Sequence, residues 1–306
     1  MKAAILKLLR ESGGVVSGNT LCAGLGTSRV AVWKHIQKLQ EAGYDIASGA
    51  KGYRLRSSPD GLHPWEFPGR EDRVVYLPLA GSTMDVAKDL ARKGCPEFTL
   101  VIAGRQSEGR GRLRRAWSSE EGGLYFTMVL RPPIPVLWSS RVNFLASLTL
   151  VRILREDYGV EAGVKWPNDI LVRGRKLCGL LSEMEAESEQ VKFINIGMGI
   201  NVNNRPPRVE PPPTSLKQLL GRRVSRRELL SRFLDVLEER MRSEAWDAVI
   251  ADWKKHSITM NRPVRIVTAK EELSGVAVDL DENGGLLLQA PDGSIRTIIY
   301  GDCFLT

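Results

Sequence analysis

The sequence has no apolar stretch that approaches the roughly 18 consecutive residues needed to cross a membrane. Its first residues also lack a long apolar core followed by a small-residue cleavage site, which is the pattern of a secretory signal. We therefore expect a cytoplasmic protein without a membrane partner. Cysteine and histidine are scarce and scattered, with four cysteines, no CxxC pair and three histidines. This spacing indicates neither a disulfide framework nor a zinc site, and we assign no residue as a metal ligand.

The net positive charge is concentrated near the N-terminus. The chain has 306 residues, 42% hydrophobic, and a formal net charge of +8, which suits two or three domains. Residues 1–57 alone carry nine basic and three acidic side chains, a net charge of +6. This uneven distribution is typical of a nucleic-acid-binding module, but a well-solvated surface has the same property. Charge alone leaves both interpretations open.

Three short amphipathic patterns at the N-terminus predict three helices. The apolar positions of the third pattern are Val32, Trp33, Ile36 and Leu39. A glycine-containing turn at 24–27 precedes it, and Thr27 or Ser28 can cap the third helix. This is the layout of a helix-turn-helix, in which the third helix enters the major groove of DNA. The predicted DNA-binding residues are Ser28, Arg29, Lys34, His35 and Lys38.

Residues 44–56 predict a β-hairpin wing after the three helices. The wing carries Lys51, Arg54 and Arg56, which can reach DNA phosphates. The alternative is a three-helix interaction domain with a charged solvent-facing surface. We favour DNA binding because the turn, the cap, the wing and the charge excess agree with one another.

Beyond a linker rich in Ser, Pro and Gly at 57–69, strand-like and helical patterns alternate, as they do in an α/β domain. The predicted strands cover 74–79, 99–103, 124–130, 170–172, 177–184 and 191–198, and the predicted helices cover 83–93 and 141–157. A capping box that starts at Ser225 predicts another helix. Four more strands are predicted at 262–269, 274–281, 285–289 and 296–300.

The segment GRQSEGRGR, residues 104–112, has the composition of an anion-binding loop. Glycines allow the backbone to approach a ligand closely, and arginines supply forked donors for phosphate or carboxylate oxygens. A nucleotide-binding P-loop would need Lys and then Ser or Thr after its last glycine, and that motif is absent. The pattern is not a dinucleotide fingerprint either. A flexible basic surface loop remains the alternative.

A second cluster, KWPND at 165–169, is followed closely by RKLCG at 175–179. Two lysines and an aspartate near one strand pair suit the joining of a carboxylate to a nucleotide phosphate, because cations relieve the repulsion between the two anions. Asp169 could hold Mg²⁺ or orient the reacting groups. The alternative is that Trp166 and Pro167 are core and turn residues and that the charges are solvated.

Several segments carry a resemblance to one family. GRQSEGRGRLRRAW, GGLYFTMVLRP, VKWPNDILVRGRKLCGLLSEM and NIGMGINVN occur in the order and spacing of biotin protein ligases. The segment SGNTLCAGLGTSRVAVWKHIQKLQEAGYDIASGAKGYRL resembles the winged helix-turn-helix of biotin operon repressors. Together these segments span nearly the whole chain. Lipoate ligases share the catalytic fold but lack the GRGR loop as it is written here.

The resemblance implies roles for individual residues. The implied biotin-binding residues are Ser82, Thr83, Gln106, Gly109, Arg110, Gly111, Arg112 and Lys176. The implied nucleotide-binding residues are Arg112, Trp117, Lys165, Asn168 and Asn201. The implied catalytic residues are Lys176, Arg110 and Asp169. Met84 stands where many members have asparagine, which puts one hydrogen bond to biotin in doubt. Ser82 and Asp85 also fit a helix capping box.

The resemblance implies an α+β protein with three domains. These are a winged helix-turn-helix at 1–58, a class II synthetase-like ligase domain with a mixed sheet at 59–257, and an SH3-like β-barrel at 258–306. The implied activity is the ATP-dependent formation of biotinyl-5′-AMP, with Mg²⁺, and the transfer of biotin to a lysine of the biotin carboxyl carrier protein. The implied regulatory role is repression by an adenylate-bound homodimer on operator DNA.

Two alternatives to this bifunctional interpretation stay open at this point. The chain could be a DNA-binding biotin sensor without ligase activity, or a ligase whose N-terminal domain does not regulate transcription.

Overall fold

The computed structural model describes residues 1–207, 209, 211–243 and 246–306, and position 114 by its backbone alone. The chain forms two compact units. The N-terminal unit contains Met1–Val75 and Ser225–Arg227, and the second unit contains Tyr76–Val224 and Glu228–Thr306. Within the described ranges, none of the helices has the length and apolar character of a membrane span.

The N-terminal unit has three helices followed by an antiparallel hairpin. Their bounds are α1 Lys2–Ser12, α2 Gly18–Leu25, α3 Arg29–Glu41, β1 Asp45–Gly49 and β2 Gly52–Ser57. The Ser17 hydroxyl accepts from Thr20 N at 3.0 Å, and the Ser28 hydroxyl accepts from Ala31 N at 3.2 Å. These two N-caps start α2 and α3, so the predicted helix-turn-helix is confirmed.

The core of this unit contains Val32, Ile36 and Leu39 from α3, packed with apolar residues of α1 and α2. Trp33, which the sequence pattern assigned to the same apolar face, is instead exposed. The reason is helical geometry. Successive residues are rotated by about 100°, so Trp33 is turned away from its neighbour Val32.

Residues 57–69, interpreted from composition as a linker, pack into the N-terminal unit. The carboxylate of Glu66 is buried, where it accepts from the Tyr44 hydroxyl and from Arg10 Nη2, the latter at 2.9 Å. Asp60 accepts from the backbone N and the Nε of Arg226, at 2.9 and 2.7 Å. A buried carboxylate is stable only when it is paired, and these contacts supply the pairing.

The second unit is built around a seven-stranded sheet with the order β3-β4-β5-β9-β8-β7-β6. Its elements are β3 Val74–Ala80, α4 Thr83–Arg92, β4 Thr99–Gln106, β5 Leu124–Leu130, α5 Ser139–Glu156, β6 Ala162–Lys165, β7 Asp169–Val172, β8 Arg175–Glu187, β9 Gln190–Ile200, α6 Leu216–Leu220, α7 Arg226–Ser243 and α8 Ala248–Lys255.

This sheet is mixed, as the resemblance implied. All neighbouring pairs from β4 to β6 are antiparallel. The C-terminal ends of β3 and β4 lie together, because Ser107 N donates to the Ala80 carbonyl at 2.9 Å and Glu108 N donates to the Gly81 carbonyl at 2.8 Å. These two strands therefore run parallel, and α4 makes the connection between them.

The C-terminal part is an all-antiparallel five-stranded sheet with the order β13-β12-β11-β10-β14. The strands are β10 Arg262–Val267, β11 Glu272–Leu280, β12 Leu286–Gln289, β13 Ile295–Ile298 and β14 Asp302–Leu305. In the described part of the chain, the edge strands β13 and β14 are not paired with each other, so the sheet is open. The antiparallel sheet is confirmed, but the closed barrel is not.

Candidate functional site

The second unit contains a cavity of about 650 Å³. It is lined by the start of α4, the segment 106–120, the β7–β8 region, β9 and the C-terminal strand β14. The cavity brings together every residue that the resemblance assigned to biotin, nucleotide or catalysis: Ser82, Thr83, Gln106, Gly109, Arg110, Gly111, Arg112, Trp117, Lys165, Asn168, Asp169, Lys176 and Asn201. These residues are far apart in sequence, and the fold collects them around a space large enough for a small-molecule ligand.

At one end of the cavity, the N-terminus of α4 meets a glutamine. Gln106 Oε1 accepts from the backbone N of Thr83 at 2.8 Å and from its hydroxyl at 3.0 Å. Gln106 Nε2 donates to the Ser119 hydroxyl at 2.8 Å. Ser82 is the N-cap of α4, and its hydroxyl accepts from Met84 N at 3.3 Å. This end therefore offers short polar groups in a fixed arrangement.

The next two residues, Met84 and Asp85, contact other parts of the second unit. Met84 is buried against Gly197 of β9, where even a Cβ atom would overlap its sulfur. The Asp85 carboxylate forms an ion pair with Arg110 Nη2 at 2.7 Å. Ser82 is the N-cap, but the predicted capping box with Asp85 does not form, because Asp85 pairs with Arg110 instead.

The predicted anion-binding segment 104–112, called the glycine-arginine loop below, folds back onto the residues that follow it. Gly111 N donates to the Arg115 carbonyl at 2.7 Å, and Trp117 N donates to the Gly109 carbonyl at 2.8 Å. Gly109 has no space for a side chain, because a Cβ atom would overlap the Trp117 carbonyl and the Ser119 hydroxyl. A glycine is therefore required at this position for the loop to close.

Two arginines of the loop are anchored by polar partners. Arg110 Nη2 pairs with Asp85 and also donates to Glu183 Oε1 at 3.3 Å. Arg112 Nη1 donates to Asn168 Oδ1 at 3.4 Å. Burial lowers the pKa of Arg112 below its usual value, while the carboxylates of Asp302 and Asp169 oppose this shift. The loop thus brings two guanidinium groups to the cavity.

The centre of the cavity is a cluster of two lysines and one aspartate. Lys176 Nζ lies 2.8 Å from Asp169 Oδ1, and Lys165 Nζ lies 3.8 Å from Asp169 Oδ2. Asp169 begins β7, Lys165 ends β6, and Lys176 lies on β8, so three adjacent strands present the cluster. Two ammonium groups share one largely buried carboxylate, which leaves an excess of positive charge to meet an anionic ligand.

Trp117 covers two glycines of the sheet. A Cβ atom at Gly179 or at Gly199 would overlap the Trp117 indole, so both positions must be glycine for the ring to lie there. Lys176 Nζ is 5.3 Å from the centre of the indole ring, within the range of a cation–π contact. Trp117 Nε1 and Arg110 Nε are buried without a hydrogen-bond partner among the residues described, and both can donate to a ligand.

Asn201 follows β9 and is held by a second asparagine. Asn204 Nδ2 donates to Asn201 Oδ1 at 2.9 Å, and both residues are buried. This bond fixes the orientation of the Asn201 amide. Asn204 was not among the predicted site residues, and only its closeness to the GINVN motif could have suggested it.

The C-terminal sheet also contributes to the cavity, which the sequence did not indicate. Asp302, Cys303 and Phe304 of β14 line it, and Asp302 forms an ion pair with Arg115. Lys165 Nζ is 5.9 Å from the centre of the Phe304 ring. No local motif marks these residues, because their position depends on the pairing of β14 with β10.

The predicted DNA-binding residues lie on or beside α3 in the N-terminal unit. Ser28 is the N-cap, Lys34 and Lys38 are exposed, and Arg29 donates to Asn19 Oδ1 from Nε at 3.0 Å and from Nη2 at 2.5 Å. His35 is half-buried. Burial lowers its pKa, and the positive charges of the N-terminal amine, Lys2 and Lys38 act in the same direction. The wing residues Lys51, Arg54 and Arg56 are exposed.

Comparisons with known proteins identify three family segments. The Biotin/lipoate A/B protein ligase family matches residues 76–201, an HTH domain matches 2–54, and the Biotin protein ligase C terminal domain matches 259–306. The Bifunctional ligase/repressor BirA of Bacillus subtilis is 34% identical over 99% of this chain and 98% of its own length. The chain belongs to this family of bifunctional ligases and repressors. The Escherichia coli protein of the same name is 31% identical, over 97% of this chain and 95% of its own.

A solved structure supports the same assignment. The biotin protein ligase from Aquifex aeolicus, in complex with biotin and ATP, has a TM-score of 0.64 and 28% sequence identity. The match covers 76% of this chain and 98% of that protein. The predictions of a biotin protein ligase fold and of a bifunctional ligase and repressor family are thus confirmed. The roles of the individual residues stay predictions.

Proposed function

We propose that the cavity binds biotin and MgATP and joins them to give biotinyl-5′-AMP. An oxygen of the biotin carboxylate bonds to the α-phosphorus, the bond from that phosphorus to the pyrophosphate oxygen breaks, and pyrophosphate leaves. The ε-amine of a carrier lysine then attacks the acyl carbon. An amide forms, AMP leaves, and the amine loses a proton. The carrier is the biotin carboxyl carrier protein.

The observation that supports this chemistry best is the cluster of Lys165, Asp169 and Lys176. Two anions must come together in the first step, and fixed cations lower the cost of their approach. Lys176 is assigned to the reacting carboxylate, and Arg112 with Lys165 to the phosphates. Mg²⁺ enters as part of the MgATP substrate, in which phosphate oxygens and water molecules are among its ligands.

The polar end of the cavity suits the biotin head group. Thr83 and Gln106 present amide and hydroxyl groups beside the N-cap Ser82, while Met84 and Gly197, which lie in close contact, add apolar lining. The glycine-arginine loop would then cover the mixed anhydride. Such a cover excludes water and so protects the intermediate from hydrolysis.

The test is incubation with labelled biotin, MgATP and a carrier domain, followed by detection of labelled carrier and of protein-bound biotinyl-AMP. Labelled carrier is expected. Bound adenylate without transfer, or no reaction, would instead favour the alternative of a biotin sensor without ligase activity.

We further propose that the adenylate-bound protein dimerises and represses transcription from an operator. The helix-turn-helix with its basic recognition helix supports this role. By linkage, the adenylate promotes DNA binding only if it binds the dimerising state more tightly than the monomer.

The expected location of the protein, with its ATP, carrier and operator, is the cytoplasm. Our proposed domain limits stay at 1–58, 59–257 and 258–306, the last as an SH3-like domain with an incompletely closed barrel.

The regulatory role is tested by selecting DNA duplexes from a random pool, with and without biotin and MgATP. Specific, salt-sensitive binding that depends on both ligands is expected of a repressor. Binding that does not respond to the ligands, or no selected sequence, would favour a ligase whose N-terminal unit has no regulatory function.

A further inference from the structure

The recognition helix α3 exposes large apolar side chains on the side opposite the core. Val30 is 62% exposed and Trp33 is 51% exposed. Val30, Trp33 and Gln37 have the spacing i, i+3 and i+7, so they form one stripe along the helix. Single exposed apolar residues are common on protein surfaces. Two in one stripe of a basic helix form a small apolar surface that a partner can cover.

Charged residues lie on both sides of this stripe. Arg29 is next to Val30 and is held by Asn19, with both of its bonds going to the same amide oxygen. Lys34 is exposed on the other side of the stripe. His35, by contrast, is half-buried, and burial lowers its pKa together with the positive charges of the N-terminal amine, Lys2 and Lys38. The exposed side of α3 is therefore an apolar and amide centre with positive charge at its margins.

This arrangement matches the major groove of DNA better than it matches a protein surface. Phosphates border the groove on both sides and attract cations, while base edges occupy its floor. The thymine methyl group is the apolar feature of that floor, and adenine presents an N7 acceptor beside an N6 donor. A glutamine amide can bind both of these adenine groups at once.

We propose that Val30, Trp33 and Gln37 read A·T base pairs, with the two apolar side chains on thymine methyl groups and the Gln37 amide on adenine. Arg29 and Lys34 contact the flanking phosphates. The proposal rests on the proposed DNA-binding function. It places sequence readout on the central stripe, whereas the sequence alone had pointed to Ser28, Arg29, Lys34, His35 and Lys38.

The test uses the full-length protein with biotin and MgATP, and a duplex selected from a random pool by the wild type. Each thymine is replaced in turn by deoxyuridine, which removes only the 5-methyl group. Each adenine is replaced in turn by 7-deazaadenine, which removes only the N7 acceptor. The variants are Trp33→Ala, Gln37→Ala and Lys34→Ala. Val15→Ala is the control for Trp33→Ala, because Val15 is an apolar residue outside α3 whose exposure is nearly the same, 53% against 51%.

We expect the wild type and Val15→Ala to lose about fourfold in affinity at one or two thymines of each half-site, the effect of one buried methyl group. Trp33→Ala should lose this effect at the thymine that Trp33 contacts and keep it at a thymine that Val30 contacts. Gln37→Ala should become insensitive to 7-deazaadenine in the same way. Lys34→Ala should weaken binding to all duplexes alike. The slope of log affinity against log salt concentration should also decrease by about one.

Two results would overturn the inference while leaving DNA binding intact. One is a wild type that binds deoxyuridine and thymine duplexes equally. The other is a Trp33→Ala variant that keeps the full thymine preference; if that variant also failed to dimerise, the stripe would be a contact with a second copy of the chain. If no duplex is selected at all, the DNA-binding function fails together with the inference. Because Val15, Trp33 and Lys34 are exposed and Gln37 is only half-buried, the unfolding temperature of all the variants should stay close to that of the wild type.

Discussion

Replacing Lys176 with methionine removes one positive charge from the centre of the cavity while keeping most of the side-chain volume. In the structure, Asp169 would lose its partner at 2.8 Å and keep only Lys165 Nζ at 3.8 Å. Breaking a buried ion pair commonly costs about 3–5 kcal/mol. Because Lys165 remains, we expect a loss of about 2–3 kcal/mol in the free energy of unfolding.

The loss of activity should be larger than the loss of stability explains. Removing one fixed positive group that faces developing negative charge typically reduces the rate by about 10²–10³-fold. We therefore expect adenylate formation to fall by this factor at temperatures where the variant is fully folded. The assay is biotin-dependent exchange of labelled pyrophosphate into ATP, with thermal unfolding followed on the same samples.

A matched control is available in the same unit. Lys254 Nζ is also 2.8 Å from a carboxylate, that of Asp279, but this pair is more exposed and does not line the cavity. Lys254→Met should cost about 0–1 kcal/mol and leave the exchange rate unchanged. If Lys176→Met loses stability but keeps its exchange rate within threefold of the wild type, Lys176 is a structural partner of Asp169 and our assignment is wrong.

Three further predictions concern other parts of the molecule. Gly199→Ala should displace the Trp117 indole, because the new Cβ atom would overlap it. The KM for ATP should then rise about 5- to 150-fold, the range of a lost base-stacking contact, and the KM for biotin should rise less. Equal changes in both KM values would contradict this role for Trp117. Burial raises the pKa of the Cys303 thiol to about 11 and raises that of Cys178 further, so both stay protonated and unreactive at pH 8. Iodoacetamide at pH 8 should therefore label the half-buried Cys22 and Cys95 first, as mass spectrometry can establish. Burial lowers the pKa of His63 below 6.5, so the unfolded chain binds the proton more readily than the folded chain. The free energy of unfolding should therefore fall as the pH drops through about 6.5. In denaturant titrations at pH 7.5 and 5.5, His63→Gln should show a smaller fall than the wild type.

Much of the fold follows from local patterns. The helix predicted at 83–93 is α4, Thr83–Arg92, and the helix predicted at 141–157 lies within one or two residues of α5, Ser139–Glu156. Strands β6 and β14 were missed. Each has only four residues, and each is formed through pairing with another strand rather than through its own periodicity.

The site shows the same division between local and long-range signals. Motifs predicted the residues of the glycine-arginine loop and of KWPND, since their glycines and charges are contiguous in sequence. Their anchors were not predictable, because Glu183 and Asp302 reach the loop only through the folding of the sheets. The wrong assignment of Trp33 to the core has a related cause. Hydrophobicity alone does not distinguish a buried residue from one exposed for binding.

The central claim is that one chain makes biotinyl-5′-AMP and that the same molecule controls its DNA binding. The most direct test follows both properties in one titration. The protein is incubated with labelled biotin, MgATP and a fluorescent duplex selected as above, and carrier domain is then added in steps. We predict that bound adenylate and DNA occupancy fall together while labelled carrier rises. DNA occupancy that stays constant as the adenylate is consumed, or carrier that stays unlabelled, would contradict the claim.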